Sequence, residues 1–91
     1  MDNRRVVITG VGAVTALGLD TKSTWRGVAN GENGVRAIDH FDASAFATRF
    51  SASLNGFTTD GYLASRDAKR MDSFIQYGMV AGIQAMRDSG L

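Results

Sequence analysis

The 91-residue sequence contains no cysteine and no proline, and its only histidine is His40. Without cysteine the chain has no disulfide framework and no thiol nucleophile. A single histidine cannot build a metal centre from histidine and cysteine ligands. We therefore predict no metal site and no catalytic thiol within these residues.

The charge and hydropathy of the chain argue against further classes of protein. Ten Lys and Arg residues balance nine Asp and Glu residues, which leaves a net charge of +1. Such a balance creates no overall field that favours nucleic acid or a membrane surface, so a cationic binding site must be local. The apolar run behind the charged N-terminus is too short for a signal or membrane segment, and we expect a cytoplasmic setting.

The first ordered element expected is a buried strand. Residues 4–10 place a continuous β-branched run, Val6–Thr9, between two arginines and a glycine. A continuous apolar run is typical of a strand covered on both faces, as in a parallel sheet. This strand needs neighbours that a short chain cannot supply, so the sequence predicts the opening part of a larger α/β protein.

Helices and turns follow. Asp20 or Thr21 predicts the cap of a helix over residues 22–30, with Gly31 after its end. Asn33-Gly34 predicts a turn, and the alternation over residues 50–54 predicts a short half-buried strand. A long closing helix is expected from Met71 to about Ser89, with Gly90 as its stop.

The closing helix has an apolar stripe that contains two glycines, Gly78 and Gly82. Each glycine in a helix interior costs about 1 kcal/mol relative to alanine. We therefore expect another backbone to pass close to this face.

Three motifs could indicate chemistry, and each has a structural interpretation that we favour. Gly10-Val11-Gly12 follows a strand, but Thr15 stands where a dinucleotide fingerprint needs its third glycine, so we predict no cofactor site. His40 has no nucleophile elbow beside it and is expected to be structural. The aspartate pairs near residues 40 and 70 are interpreted as solvated charges or caps.

Arg66, Lys69 and Arg70 form the most functional-looking charge cluster. Their spacing places them on one side of a predicted helix start, where the positive end of the helix dipole disfavours cations. An anionic partner would benefit from both the cations and the dipole, so the cluster predicts an anion-binding surface.

Together these motifs resemble the β-ketoacyl-acyl-carrier-protein synthase family across essentially the whole chain. The resemblance rests on residues 4–12, 23–25, 38–42, 71–78 and 81–91. It implies an α/β chain, residues 1–91, that is the N-terminal segment of the first half of a thiolase-like α-β-α-β-α fold, incomplete in this chain. It also implies fatty acyl elongation by decarboxylative condensation of an acyl-enzyme with malonyl-acyl carrier protein.

The catalytic cysteine and two histidines of that family lie beyond Leu91, and His40 matches neither histidine. We therefore expect no catalytic residue and no activity in this segment alone. The resemblance carries over only a carrier-protein-binding role, at Arg66, Lys69 and Arg70. The implied partners are acyl carrier protein, the remainder of the enzyme chain and a second copy of the full-length enzyme; nucleic acid and membrane are not expected.

Two alternatives remain open at this point. The segment could be a non-catalytic interaction module, derived from such a synthase, that binds acyl carrier protein or a partner subunit. It could also be an independent small α/β domain that binds an anion at residues 10–15.

Overall fold

The computed structural model describes residues 3–91, which form three helices and one small antiparallel sheet. The helices are α1 (Thr21–Ala29), α2 (Ser65–Ala68) and α3 (Ser73–Ser89). The strands β1 (Arg36–Ala37) and β2 (Phe50–Ser51) pair with Arg36 opposite Ser51 and Ala37 opposite Phe50. The remaining described residues are turns and irregular segments, of which residues 10–19 pack on α3.

The sequence of α1 sets both of its ends. The Asp20 carboxylate accepts from the Ser23 backbone N–H at 2.7 Å, and the Ser23 hydroxyl completes the reciprocal capping box. At the other end, Asn30 is the C-cap and Gly31 follows in the left-handed region with φ 70°. The predicted helix is confirmed with its bounds shifted by one residue.

The predicted strand at residues 50–54 is correct only at its start. The sheet contains two residues from each strand, and Ile38 N–H adds one bond to the Arg49 carbonyl at 2.9 Å. The strand pairing ends at Ser51, and the hydroxyls of Ser51 and Ser53 form a hydrogen bond of 2.7 Å. The alternation therefore marks a short hairpin strand.

The closing helix α3 begins two residues later than predicted and ends where expected. Asp72 is its N-cap residue, and Gly90 is its C-cap in the left-handed region at φ 77°. Glycine adopts that conformation without the steric penalty that a side chain incurs. The basic residues before Asp72 belong to the separate helix α2 and the turn after it.

The predicted buried strand at Val6–Thr9 is absent, because residues 3–14 form neither helix nor strand. Val6 and Ile8 are 92% and 84% exposed. No other part of residues 3–91 pairs with this segment in a sheet. A strand that is apolar on both faces needs covering on both sides, and the described residues do not provide it.

The core is very small for the length of the chain. Its buried apolar residues are Ala43, Ala68 and Val80. The accessible surface is 7271 Å², whereas a folded monomer of this mass exposes about 5100 Å². The radius of gyration is 16.6 Å, against about 12 Å for a compact domain of this length. The chain therefore leaves a large apolar surface uncovered.

Candidate functional site

The N-terminal segment of residues 10–19 packs lengthwise on α3. A Cβ atom on Gly12 would overlap the Ala81 carbonyl oxygen and lie 2.9 Å from the Ala85 nitrogen. A Cβ atom on Gly10 would overlap the Ala85 carbonyl and lie 2.6 Å from the Ser89 nitrogen. The two glycines therefore allow backbone-to-backbone contact with the small-residue face of α3.

Two polar side chains of α3 fix this segment. Asp88 Oδ2 accepts from the Val11 N–H at 3.0 Å, and Gln84 Oε1 accepts from the Ala13 N–H at 3.1 Å. Gln84 Nε2 donates to the Leu19 carbonyl at 2.7 Å. The Val11 and Ala13 N–H groups that an external anion at residues 10–15 would use thus already have partners on α3. These two N–H groups are therefore not available to an anion, which weighs against the anion-binding alternative at residues 10–15.

The Gly78–Gly82 face of α3 is open. A Cβ atom at either glycine would meet no atom within 4 Å among the described residues. Met79, Ile83 and Met86 border a groove of about 360 Å³ that follows this face. The close backbone approach thus occurs on an adjacent face of α3, and Gly78 and Gly82 themselves have no neighbour within 4 Å in residues 3–91.

The basic segment, defined here as residues 65–71, lies at the start of α3. The single turn α2 carries Arg66, the C-cap residue is Lys69, and Arg70 follows; all three side chains are exposed. Ala68 is only 6% exposed and anchors the turn. Gln76 Nε2 donates to the carbonyls of Ala68 at 2.8 Å and Met71 at 3.3 Å, which ties the segment to α3.

The three cations do not lie together in the first turn of one helix. Arg66 lies within the single turn of α2, Lys69 is its C-cap residue, and Arg70 follows. Lys69 and Arg70 lie within three residues of Asp72, the N-cap of α3, so their unfavourable interaction with the positive end of a helix dipole stays a prediction. One carboxylate, Asp67, stands among the three cations, and the segment remains net positive.

The carboxylates singled out in the sequence are solvated or act as caps. Asp42 accepts from the Ser44 backbone N–H at 3.0 Å, and this bond holds the pKa of the exposed Asp42 carboxyl below its ordinary value. His40 is exposed and contacts Phe41 edge to face at 4.9 Å between ring centroids.

Residues 3–91 contain no group of three or more potential metal ligands. Within the same residues, no helix is both long enough and apolar enough to cross a membrane.

Sequence reasoning missed the residues that organise these contacts, Gln76, Gln84 and Asp88. Their signal is present in the sequence as polar residues of α3 spaced by eight and four positions. The glycine pair Gly10 and Gly12 is matched on α3 by Ala81 and Ala85, four residues apart. Neither pattern identifies the segment that it contacts unless the fold is known.

Comparison with known proteins identifies the class. Residues 3–91 match the family described as "Beta-ketoacyl synthase, N-terminal domain". The chain belongs to this family, whose N-terminal domain implies a thiolase-like fold.

Individual proteins that are similar to this chain are synthases of the same kind. The chain is 46% identical over 91 residues to "3-oxoacyl-[acyl-carrier-protein] synthase 2" of Vibrio cholerae, covering 100% of this chain and 22% of that protein. It is 40% identical over 88 residues to "3-oxoacyl-[acyl-carrier-protein] synthase I, chloroplastic" of Arabidopsis thaliana, covering 97% of this chain and 19% of the relative. For the Staphylococcus aureus synthase 2 the identity is 37% over 89 residues, covering 98% and 22%. The chain thus spans about a fifth of the length of these relatives.

Proposed function

We propose that this chain is the N-terminal segment of a condensing enzyme that elongates fatty acyl chains. In that enzyme, residues 1–91 form part of the first thiolase-like half of an α-β-α-β-α fold. The proposal rests on the family match and on the identity with 3-oxoacyl-acyl-carrier-protein synthases. The single structural observation that supports it is the uncovered apolar surface.

That surface has two parts, and each needs a neighbour. Val6, Val7 and Ile8 are 92%, 69% and 84% exposed. On α3, Met79 and Met86 are 40% and 55% exposed beside the open glycine face. Burying apolar surface contributes about 25 cal/mol per Å², so covering these residues with the remainder of the enzyme chain stabilises the assembled protein substantially.

The reaction proposed for the whole enzyme is a decarboxylative Claisen condensation. An acyl group held as a thioester on the enzyme accepts the carbon nucleophile formed when malonyl-acyl carrier protein loses carbon dioxide. A cysteine and two histidines supplied by the remainder of the enzyme perform this step, because residues 1–91 contain no cysteine. The role of this chain is to support the fold and to present a binding surface.

The binding surface is the basic segment. Arg66, Lys69 and Arg70 are exposed, while Ala68 and Gln76 hold their backbone in place. Clustered cations on an ordered turn suit an acidic protein partner, because charge complementarity accelerates association and selects the partner. We propose acyl carrier protein as this partner, and a homodimer as the state of the whole enzyme.

The organisation of the basic segment also supports a second candidate, a non-catalytic module that binds acyl carrier protein. Gln76 belongs to this chain, so the contacts that position the segment need nothing from the remainder of an enzyme. The intact mass of the natural protein separates the two candidates. A polypeptide of the length of the relatives supports the enzyme, whereas a 91-residue product supports the module.

A chimera tests the enzyme proposal directly. Residues 1–91 replace the matching residues of the Vibrio cholerae relative, and condensation of an acyl group with malonyl-acyl carrier protein is measured. We expect an active chimera. The isolated chain, and the relative without its matching residues, serve as inactive controls. A folded chimera without condensing activity would contradict the proposal.

A further inference from the structure

Three of the four asparagines in this chain precede glycine, at Asn30, Asn33 and Asn55. Asparagine is thermolabile, and a following glycine, which has no side chain, lets the next backbone nitrogen approach the asparagine amide. The surroundings of the three pairs differ. We propose that Asn55 is a site of spontaneous deamidation and that it reacts faster than the other two. This inference does not depend on the proposed function.

The chemistry needs only water and a base from solution. The Gly56 backbone nitrogen loses its proton and forms a bond to Asn55 Cγ, while the Cγ–Nδ2 bond breaks and ammonia leaves. Water then opens the resulting cyclic imide at either of its two carbonyls. The products are aspartate and the β-linked isoaspartate, with one water consumed and one ammonia released overall.

Asn30 is protected because the attacking nitrogen is already engaged. The Gly31 N–H donates to the Val28 carbonyl at 3.1 Å, and the Asn30 N–H donates to the Arg26 carbonyl at 3.0 Å. Asn30 is also the C-cap residue of α1. Ring closure there requires the last turn of α1 to open first.

Asn33 is restrained by packing. Its Oδ1 accepts from the Val35 backbone N–H at 3.0 Å, which fixes the side chain. The backbone of Gly34 lies against the N-terminal segment, because a Cβ atom at Gly34 would be 2.9 Å from Ala16 Cβ and 3.3 Å from Leu17 Cδ2. Rotation of Gly34 toward the asparagine side chain must displace these contacts.

Asn55 has neither restraint. Its side chain is exposed, and no backbone carbonyl among residues 3–91 accepts from the Gly56 N–H. A Cβ atom at Gly56 would meet no atom within 4 Å. The next residue, Phe57, is held edge to face on Tyr77 with ring centroids 4.8 Å apart. The Asn55-Gly56 pair therefore has neither the hydrogen bond that engages Gly31 nor the packing that restrains Gly34.

The 91-residue chain is incubated in mildly alkaline buffer, and the three peptides are followed by mass spectrometry for replacement of the amide NH₂ by OH. Fragmentation that separates aspartate from isoaspartate identifies the product. We expect Asn55 to deamidate about tenfold faster than Asn30, a difference of about 1.4 kcal/mol in the barrier and the size of one hydrogen bond. Asn33 is expected between the two.

Two controls make the result decisive. In concentrated urea, where packing and helix caps are lost, the three rates should converge. Asn55→Gln should abolish the reaction at position 55 without changing the rates at positions 30 and 33. The proposal is overturned if Asn30 or Asn33 reacts as fast as Asn55 in native buffer.

Discussion

Gln84 Nε2 donates to the Leu19 carbonyl at 2.7 Å, which joins α3 to the start of α1 across 65 residues of sequence. The same side chain accepts from the Ala13 N–H through its Oε1 atom at 3.1 Å. One glutamine therefore satisfies a donor and an acceptor of the N-terminal segment and sets the position of that segment on α3.

Replacing Gln84 with Met keeps the length of the side chain and removes both hydrogen bonds. We expect a loss of about 1–3 kcal/mol in the free energy of unfolding of the chimera, because two part-buried backbone groups lose their partners. Urea denaturation measures the change. The exposed Thr48→Ala serves as control, with an expected change within about 0.5 kcal/mol. Equal stability of the two variants would show that the Gln84 bonds contribute nothing.

Gly12→Ala tests the close contact between the N-terminal segment and α3. The added methyl group would overlap the Ala81 carbonyl, which belongs to the helix backbone and cannot move aside. We expect destabilisation of about 1–3 kcal/mol, as for other overpacked sites. The matched substitution Gly31→Ala adds a methyl group with nothing within 4 Å, so it reports only the cost of a positive φ. Thermal unfolding of the wild-type and Gly12→Ala chimeras gives the comparison, and an unchanged midpoint would refute the contact.

The sequence predicts the local elements of this chain well because the signals are local. Asp20, one of the two predicted cap residues, is the N-cap of α1, and Gly90 ends α3 as predicted. The strand at Val6–Thr9 fails for the opposite reason. A strand with this pattern needs neighbouring elements on both faces, and residues 3–91 do not contain those elements.

Which face of α3 is covered was not predictable from its own sequence. Gly78 and Gly82 suggested the contact face, whereas the contact uses Ala81 and Ala85 opposite Gly10 and Gly12. The basic segment shows a similar limit. Its three cations are close together in the sequence, but the sequence did not predict the separate helix α2 or the break at residues 69–72.

The cap of α1 predicts a pH dependence. Hydrogen bonds from the Ser23 side chain and backbone lower the pKa of Asp20 below its ordinary value of 3.8. A carboxyl group with a lowered folded pKa contributes stability that is present above the unfolded value and is lost as the pH falls through the folded value. Asp20→Ala should cost about 1 kcal/mol at neutral pH. Asp20→Asn retains a capping oxygen but does not titrate.

Circular dichroism of the three proteins between neutral and strongly acidic pH measures this effect. The difference in helix stability between wild type and Asp20→Asn should diminish as Asp20 becomes protonated. A difference that stays constant down to acid pH would show that the Asp20 charge does not act at the cap.

Charge reversal tests the basic segment as a carrier-protein surface. Arg66→Glu, Lys69→Glu and Arg70→Glu together in the chimera should weaken binding of acyl carrier protein by more than about tenfold at low salt, because electrostatic steering is lost. High salt should reduce the difference, since it screens exposed charges. The control reverses two exposed cations of other elements, Arg26 and Arg36. Affinity that is unchanged by the triple substitution, or lowered equally by the control, would contradict the assignment.

The central claim is that the open face of α3 is covered by the remainder of a condensing enzyme, and Gly82→Ala tests it most directly. In the isolated chain the added methyl group meets nothing within 4 Å, so alanine should raise helix stability by up to about 1 kcal/mol. In the active chimera the same substitution should lower the free energy of unfolding, because a neighbouring element then packs against the glycine face. Stabilisation of similar size in both proteins would contradict the account.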